Sequence, residues 1–200
     1  MRICRAVIIT IACTVLFVSC GFAGEKASYG LKIGYNSADI KGDFEQYVGS
    51  SSSRSCMTFG GFAMMHQFGI FYLQPEFLYI EKGATSTESN KTLKLAYLEI
   101  PFLIKCKFNR NKKLGLSVYY GPAADLLLSS EYGTLDLKSN TAKIDGCLIV
   151  GGSIDIQAGS GYLFLESRYS YGLTSINDSE IDLDVRNRVF TIMLGYSFNR

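Results

Sequence analysis

Two hundred residues are a one-domain length. With 20 Lys and Arg against 18 Asp and Glu the net charge is +2, and with no basic run the chain offers nucleic acid nothing to bind. A single histidine gives acid–base catalysis little material, and no stretch after the N-terminal segment is long and apolar enough for a spanning helix.

Arg2 and Arg5 precede an apolar run from Ala6 to Val18, and the small residues Gly21 and Ala23 follow. This is the layout of a secretory signal peptide, residues 1–23, cleaved after Ala23. A second reading takes Phe17-Val18-Ser19-Cys20 as a lipidation site at Cys20, for which Phe17 is a poor fit. Loss of Arg2 and Arg5 leaves residues 24–200 formally neutral. Cys56, Cys106 and Cys147 remain after the signal; they are odd in number, spaced unlike any zinc pattern, and expected as three free thiols serving as small apolar residues.

From there the chain alternates. The first predicted strand, Ser28 to Asn36, sets Tyr29, Leu31, Ile33 and Tyr35 against Gly30, Lys32, Gly34 and Asn36. Residues 37–55, with the run GSSSSRS, are expected as a long loop. Strand two, Cys56 to His66, is the least legible, because Gly60, Gly61 and the Met64-Met65 pair blur its parity. Gln67-Phe68-Gly69 is a tight connection. Strand three, Ile70 to Lys82, puts Phe71, Leu73, Pro75, Phe77 and Tyr79 on one face, with Gln74 and Glu76 on the other. A polar loop from Gly83 to Thr92 follows.

Strand four, ending at Phe108, separates Leu98, Ile100, Phe102, Ile104 and Cys106 from Glu99, Leu103, Lys105 and Lys107. After a short turn, strand five, Leu114 to Leu128, turns Gly115, Ser117, Gly121 and Asp125 away from its apolar face. A third loop covers Ser129 to Thr141. Strand six, Ala142 to Ile156, opposes Asp145, Ser153 and Asp155 to its aliphatic residues, and strand seven, Tyr162 to Leu173, opposes Glu166 and Arg168 to Leu163, Leu165, Tyr169 and Tyr171. A fourth loop, Thr174 to Asn187, leads to Arg188–Phe198. There Phe190, Ile192, Leu194, Tyr196 and Phe198 share one face, and Val189, Thr191, Met193, Gly195 and Ser197 share the other.

A soluble strand turns its apolar face to a core and its charges to water. Here the apolar faces are continuous and end in aromatics, whereas every charge that can be placed in mid-strand lies on the opposite face. That arrangement suits a wall with lipid outside. Backbone groups cannot stay unpaired in lipid, so the last strand should pair with the first. Connections alternate long and short. The predicted fold class is therefore all-β: an eight-stranded antiparallel up-and-down transmembrane β-barrel with short periplasmic turns and longer extracellular loops.

The stretch YLEIPFLIK, Tyr97 to Lys105, resembles the porin-family outer-membrane β-barrels of Bacteroidetes, the outer membrane protein beta-barrel family, of PorT-like or OmpX-like kind. The resemblance extends in order through LKIGYN (31–36), LQPEFLYIEKG (73–83), YYGPAADLLL (119–128), RYSYGLTSI (168–176) and NRVFTIMLGYSF (187–198). It implies an eight-stranded barrel in a Gram-negative outer membrane. It implies little about activity, and no residue here carries the role of the secretion-accessory relatives of the PorT type.

The interior expected from parity is polar. Lys32, Glu76, Glu99, Lys105, Lys107, Asp125, Asp145, Asp155, Glu166 and Arg168 point inward. Eight strands leave room only for side chains, and buried charges must be paired. The expected pairing has Glu99 and Glu166 clamping Arg168, with Lys105 near Glu76. The alternative is a narrow charged pore for small solutes. A barrel enzyme is disfavoured, since His66 lies near a periplasmic turn and no histidine stands at the outer rim. No cofactor or metal is expected: Asp178, Glu180, Asp182 and Asp184 alternate in an extended run that would not wrap an ion.

Leu93 and Leu95, like Ile181, Leu183 and Val185, have the parity opposite to the lipid face of the strands they adjoin, and Leu135 and Leu137 form a third short apolar alternation. They are expected on strand extensions above the membrane, beyond a bulge, packed in an outer cap or presented to a partner. The function expected is a non-enzymatic structural or interaction protein. A monomer is expected, with outer-membrane lipid and an envelope protein met through the outer loops as its expected partners.

Overall fold

Alternation of large apolar with small or polar residues gives each segment two unlike faces, which lipid on one side and a narrow lumen on the other can both satisfy. The computed structural model describes residues 27–42, 51–86, 92–108, 113–133, 135–138, 141–176 and 185–198. The expected signal segment, residues 1–23, lies outside them. The strands are β1 (Ala27–Gly42), β2 (Ser51–Phe68), β3 (Phe71–Ser86), β4 (Thr92–Phe108), β5 (Leu114–Tyr132), β6 (Leu135–Asp136), β7 (Ile144–Ala158), β8 (Gly161–Gly172) and β9 (Val185–Phe198). Among the described residues the two-residue β6 pairs only with the outer end of β5. The other eight are antiparallel to both neighbours and form a closed ring. The last strand pairs with the first from Tyr29 opposite Phe198 to Gly42 opposite Val185.

Leu31, Ile33, Val118, Val150, Leu165, Ile192 and Leu194 are exposed on the outer wall. Aromatics mark its margins. Tyr29, Phe68, Phe71, Phe108 and Phe198 are exposed at the end of the short connections, and the Phe68 and Phe71 rings lie 5.1 Å apart. Toward the other end Phe59 stacks on Tyr79 at 5.2 Å, and the Arg188 guanidinium lies 4.9 Å from the centre of the Tyr171 ring. These are interfacial girdles, with the cation at the outer edge.

Three differences from the sequence reading matter for the site. First, the strands run farther outward than expected. β1 reaches Gly42, β2 starts at Ser51 and β3 continues to Ser86, so parts of the expected first and second loops are strand. Ser51, Ser52 and Ser53 pair with Ser86, Thr85 and Ala84; the neighbouring ladder overrides poor strand propensity. Gly83 is what allows β3 to continue. Its φ is +131°, and a Cβ there would stand 2.0 Å from the Leu93 carbonyl oxygen.

Second, β4 and β9 keep their phase where a bulge was expected. Leu93, Leu95, Tyr97 and Glu99 are all buried, as are Val185, Asn187, Val189 and Thr191. The register shift lies in β5 instead, where Leu128 is the extra residue between Leu127 opposite Tyr97 and Ser129 opposite Ala96. The odd residues of β4 and β9 therefore never leave the inner face; the inner face itself changes from charged to apolar. Third, β2 points Cys56, Thr58, Phe62 and Met64 inward, with register shifts against β3 between Ser53 and Thr58 and between His66 and Phe68.

Amide exchange at Leu93, Leu95 and Val189 should be as slow as in mid-barrel strands; exchange at open-coil rates there would contradict the paired extensions. Gly83→Ala should lower stability by about 1–3 kcal/mol, read as an earlier loss of the β signal in circular dichroism on heating.

Candidate functional site

The lumen is filled in three tiers, so the expectation of a uniformly polar interior is corrected. Near the short connections Phe62, Met64, Tyr72 and Phe164 pack together, with Phe62 edge-on to Phe164 at 5.5 Å. Gly195 makes room for them, since a Cβ there would lie 2.4 Å from the Phe164 ring. The outer half holds Ala38, Ile40, Ile80, Ala84, Leu93, Leu95, Tyr97, Ile176, Val185 and Val189. Between the two lies a charged belt, flanked by Leu103, Tyr119, Ala123, Cys147 and Ile149.

The belt is a chain of alternating sign. Lys32 Nζ donates to Glu166 Oε1 at 2.7 Å and to Glu76 Oε1 at 2.8 Å. Arg168 donates from Nη1 to Glu76 Oε2 at 3.1 Å and from Nη2 to Glu99 Oε1 at 2.8 Å. Lys82 Nζ lies 3.3 Å from Glu99 Oε2 and donates to Asp125 Oδ2 at 2.5 Å. Gln74 adds a bond to Glu76 Oε1 at 2.6 Å. Each of these three cations is held between two carboxylates, the arrangement that offsets the desolvation of buried charge. Removing one member leaves uncompensated charge, at a cost of about 3–5 kcal/mol.

The expected pairing is corrected here. Arg168 is clamped by Glu99 and Glu76, not by Glu166, which goes to Lys32. Lys105 does not approach Glu76; its ammonium lies 5.7 Å from the ring centres of Tyr119 and Phe164. Lys107 pairs at 3.4 Å with Asp155, which also accepts from Ser153 at 2.9 Å and Ser117 at 3.3 Å. Asp145 has neutral partners, accepting from Thr174 Oγ1 at 2.5 Å and Asn187 Nδ2 at 3.1 Å. The residue the sequence reading missed is Lys82. It shares the parity of Gln74 and Glu76, but it is the last residue of the strand expected from Ile70 to Lys82 and is absent from the inward set expected there.

Of the residues expected at the outer end, Leu93 and Leu95 are buried, Leu137 packs partly against the outer cluster, and Leu135 is exposed. Ile181, Leu183 and the acidic run from Asp178 to Asp184 lie outside the described residues. Cys56, Cys106 and Cys147 are free thiols. His66 lies at the other end, its Nε2 3.1 Å from the Gly69 carbonyl oxygen in the adjoining turn.

Against known proteins, residues 22–178 match the family described as outer membrane protein beta-barrel domain. No curated protein matches the chain. Among solved structures, Neisserial surface protein A (NspA) superposes with a TM-score of 0.52 at 12% identity, over 86% of this chain and 98% of that one. OprG from Pseudomonas aeruginosa gives 0.49 at 10% identity, over 88% and 98%. Ail of Yersinia pestis gives 0.46 at 15% identity, over 86% and 99%. At such identities the likeness to NspA is one of fold, in agreement with the closed ring. With most of its length matched, the chain belongs to the outer membrane protein beta-barrel domain family.

Proposed function

We propose that this outer-membrane barrel is non-conducting and non-enzymatic, and that it works by presenting its outer end to a partner in the cell envelope. The observation that carries the reading is the filled lumen. The belt side chains Arg168, Glu76 and Glu99 are about fully buried, and the apolar cluster of Ile40, Ile80, Leu95 and Tyr97 lies above them. Water and ions have no continuous polar lining to follow across that tier. The outer end is where the strands rise past the belt and where Leu135 is exposed. Neither the carboxylates Glu76, Glu99, Asp125 and Glu166, each paired with a cation, nor His66 on a backbone carbonyl is arranged as a nucleophile–base pair.

On this reading the protein is exported by a signal peptide cleaved after Ala23, sits in the outer membrane as a monomer and requires no cofactor. Its placement among PorT-like or OmpX-like barrels of Bacteroidetes rests on the stretch Tyr97–Lys105. In planar bilayers the purified protein should give no steady conductance, while a variant that strips the outer cluster, Ile40→Ser with Leu95→Ser, should leak. A steady open channel from the unaltered protein would overturn the reading in favour of a pore.

A further inference from the structure

The chain has three prolines, Pro75, Pro101 and Pro122. They stand on the neighbouring strands β3, β4 and β5, inside a wall that closes on itself. Proline belongs at sheet edges and bulges, because it has no N–H to give the ladder. At these three positions there is neither. Pairing of β2 with β3 lapses between Phe62 opposite Glu76 and Met65 opposite Leu73, then resumes in the same register. That of β3 with β4 lapses between Pro75 opposite Phe102 and Leu78 opposite Glu99, and that of β4 with β5 between Pro101 opposite Ala123 and Ile104 opposite Tyr120. In each lapse a proline faces a residue it cannot answer: Pro75 faces Ala63, Pro101 faces Glu76 and Pro122 faces Phe102. The carbonyls of those three residues lose their ladder donors, a costly loss in a membrane wall. Pro75, Phe102 and Pro122 share one row, so the lapses form one line across the sheet. The other five ladders of the ring run unbroken among the described residues. Natural sequences break a local rule in this way chiefly where the fold is strained or functional.

The segments outward of this line hold together as a unit. β3 and β4 stay paired from Leu78 opposite Glu99 to Thr85 opposite Thr92, and β4 and β5 from Glu99 opposite Asp125 to Leu93 opposite Tyr132, with Leu128 the one extra residue. The sides of the unit are loosely held. Its pairing with β2 shifts register between Thr58 and Ser53, and its ladder with β7 ends at Leu126 opposite Ile144. Its inward residues Ile80, Ala84, Leu93, Leu95 and Tyr97 close the lumen against Ala38 and Ile40 of β1 and Val185 and Val189 of β9. Across the lumen, among the described residues, one ion pair ties the unit to the opposite wall: Arg168 Nη2 of β8 donates to Glu99 Oε1 at 2.8 Å. Lys82, Glu99 and Asp125 bind one another within the unit. We propose that the outer halves of β3, β4 and β5 are a lid hinged on the proline row, closed by the apolar cluster and latched by Arg168 to Glu99. Swung outward, the lid parts that cluster and uncovers the charged belt while the unbroken half of the wall stays in place.

The test is amide hydrogen exchange, followed by NMR on the full chain folded in detergent micelles. Amides of Ala63, Glu76 and Phe102, which face the prolines, should exchange at least about tenfold faster than those of Val150, Ser167 and Ile192 in the unbroken ladders. Pro101→Ala, which gives the Glu76 carbonyl a donor, should slow exchange at Glu76 toward the rates of the unbroken half. Glu99→Gln, which frees the latch and leaves Arg168 its bond to Glu76, should speed exchange along the row severalfold and leave Val150, Ser167 and Ile192 unchanged. Equal protection in the two halves of the wall would overturn the proposal, as would unaltered exchange at Glu76 in Pro101→Ala. An acceleration spread evenly over all strands in Glu99→Gln would also contradict it, since the pair with Arg168 would then steady the whole barrel and not a lid.

Discussion

Lipid sets the terms for this molecule. Its hydrocarbon core offers no hydrogen bonds, so each backbone group in the wall has to be paired within the protein, and a sheet can meet that demand only by closing on itself. Pairing of β1 with β9 over the whole span from Tyr29 to Gly42 meets it. Closure with eight strands then fixes a lumen so narrow that side chains fill it. The outer wall can be apolar without limit, whereas the inner wall must solve a packing problem with whatever volume the strands leave. Gly195 beside the ring of Phe164 is one visible part of that solution.

The layering of the lumen follows from the cost of buried charge. An ionised group in a sealed interior is tolerated when opposite charges surround it. The cations Lys32, Lys82 and Arg168 are each shared between two carboxylates, so one chain of pairs links β8, β1, β3, β4 and β5 across the barrel. Such a network ties strands that are not neighbours in the sheet, and it specifies a register that apolar packing alone leaves loose. The apolar tier above excludes water from it and so strengthens each pair.

Much of this was legible in the sequence, because period-two alternation reports directly on the two faces. Leu31 and Ile33 against Lys32, or Leu165 against Glu166 and Arg168, need no tertiary information. Strand ends were less legible, since Gly83 and the serines from Ser51 to Ser53 carry the composition of loops and are held in strand only by their neighbours. The parity of Leu93, Leu95 and Val185 was read against an assumption that the inner face stays polar, and the apolar outer tier is what broke it. Which carboxylate meets which cation was beyond reach. Glu76, Glu99 and Glu166 have the same chemistry, and their assignment to Lys32 or Arg168 depends on how the strands are staggered around the ring.

The fold does not choose among activities. What the interior of this barrel shows is a charged belt that joins five strands across the lumen. The most direct measurement is the temperature at which the compact, unboiled form is lost on SDS gels, compared between the unaltered protein and Arg168→Met. A belt that holds the barrel shut predicts a transition lowered by about 10 °C in the variant, partly restored when Glu99→Gln removes the carboxylate left behind. Identical transitions in the two proteins would mean that the ion pairs merely occupy the lumen and that closure rests on the backbone ladder and the apolar tiers alone.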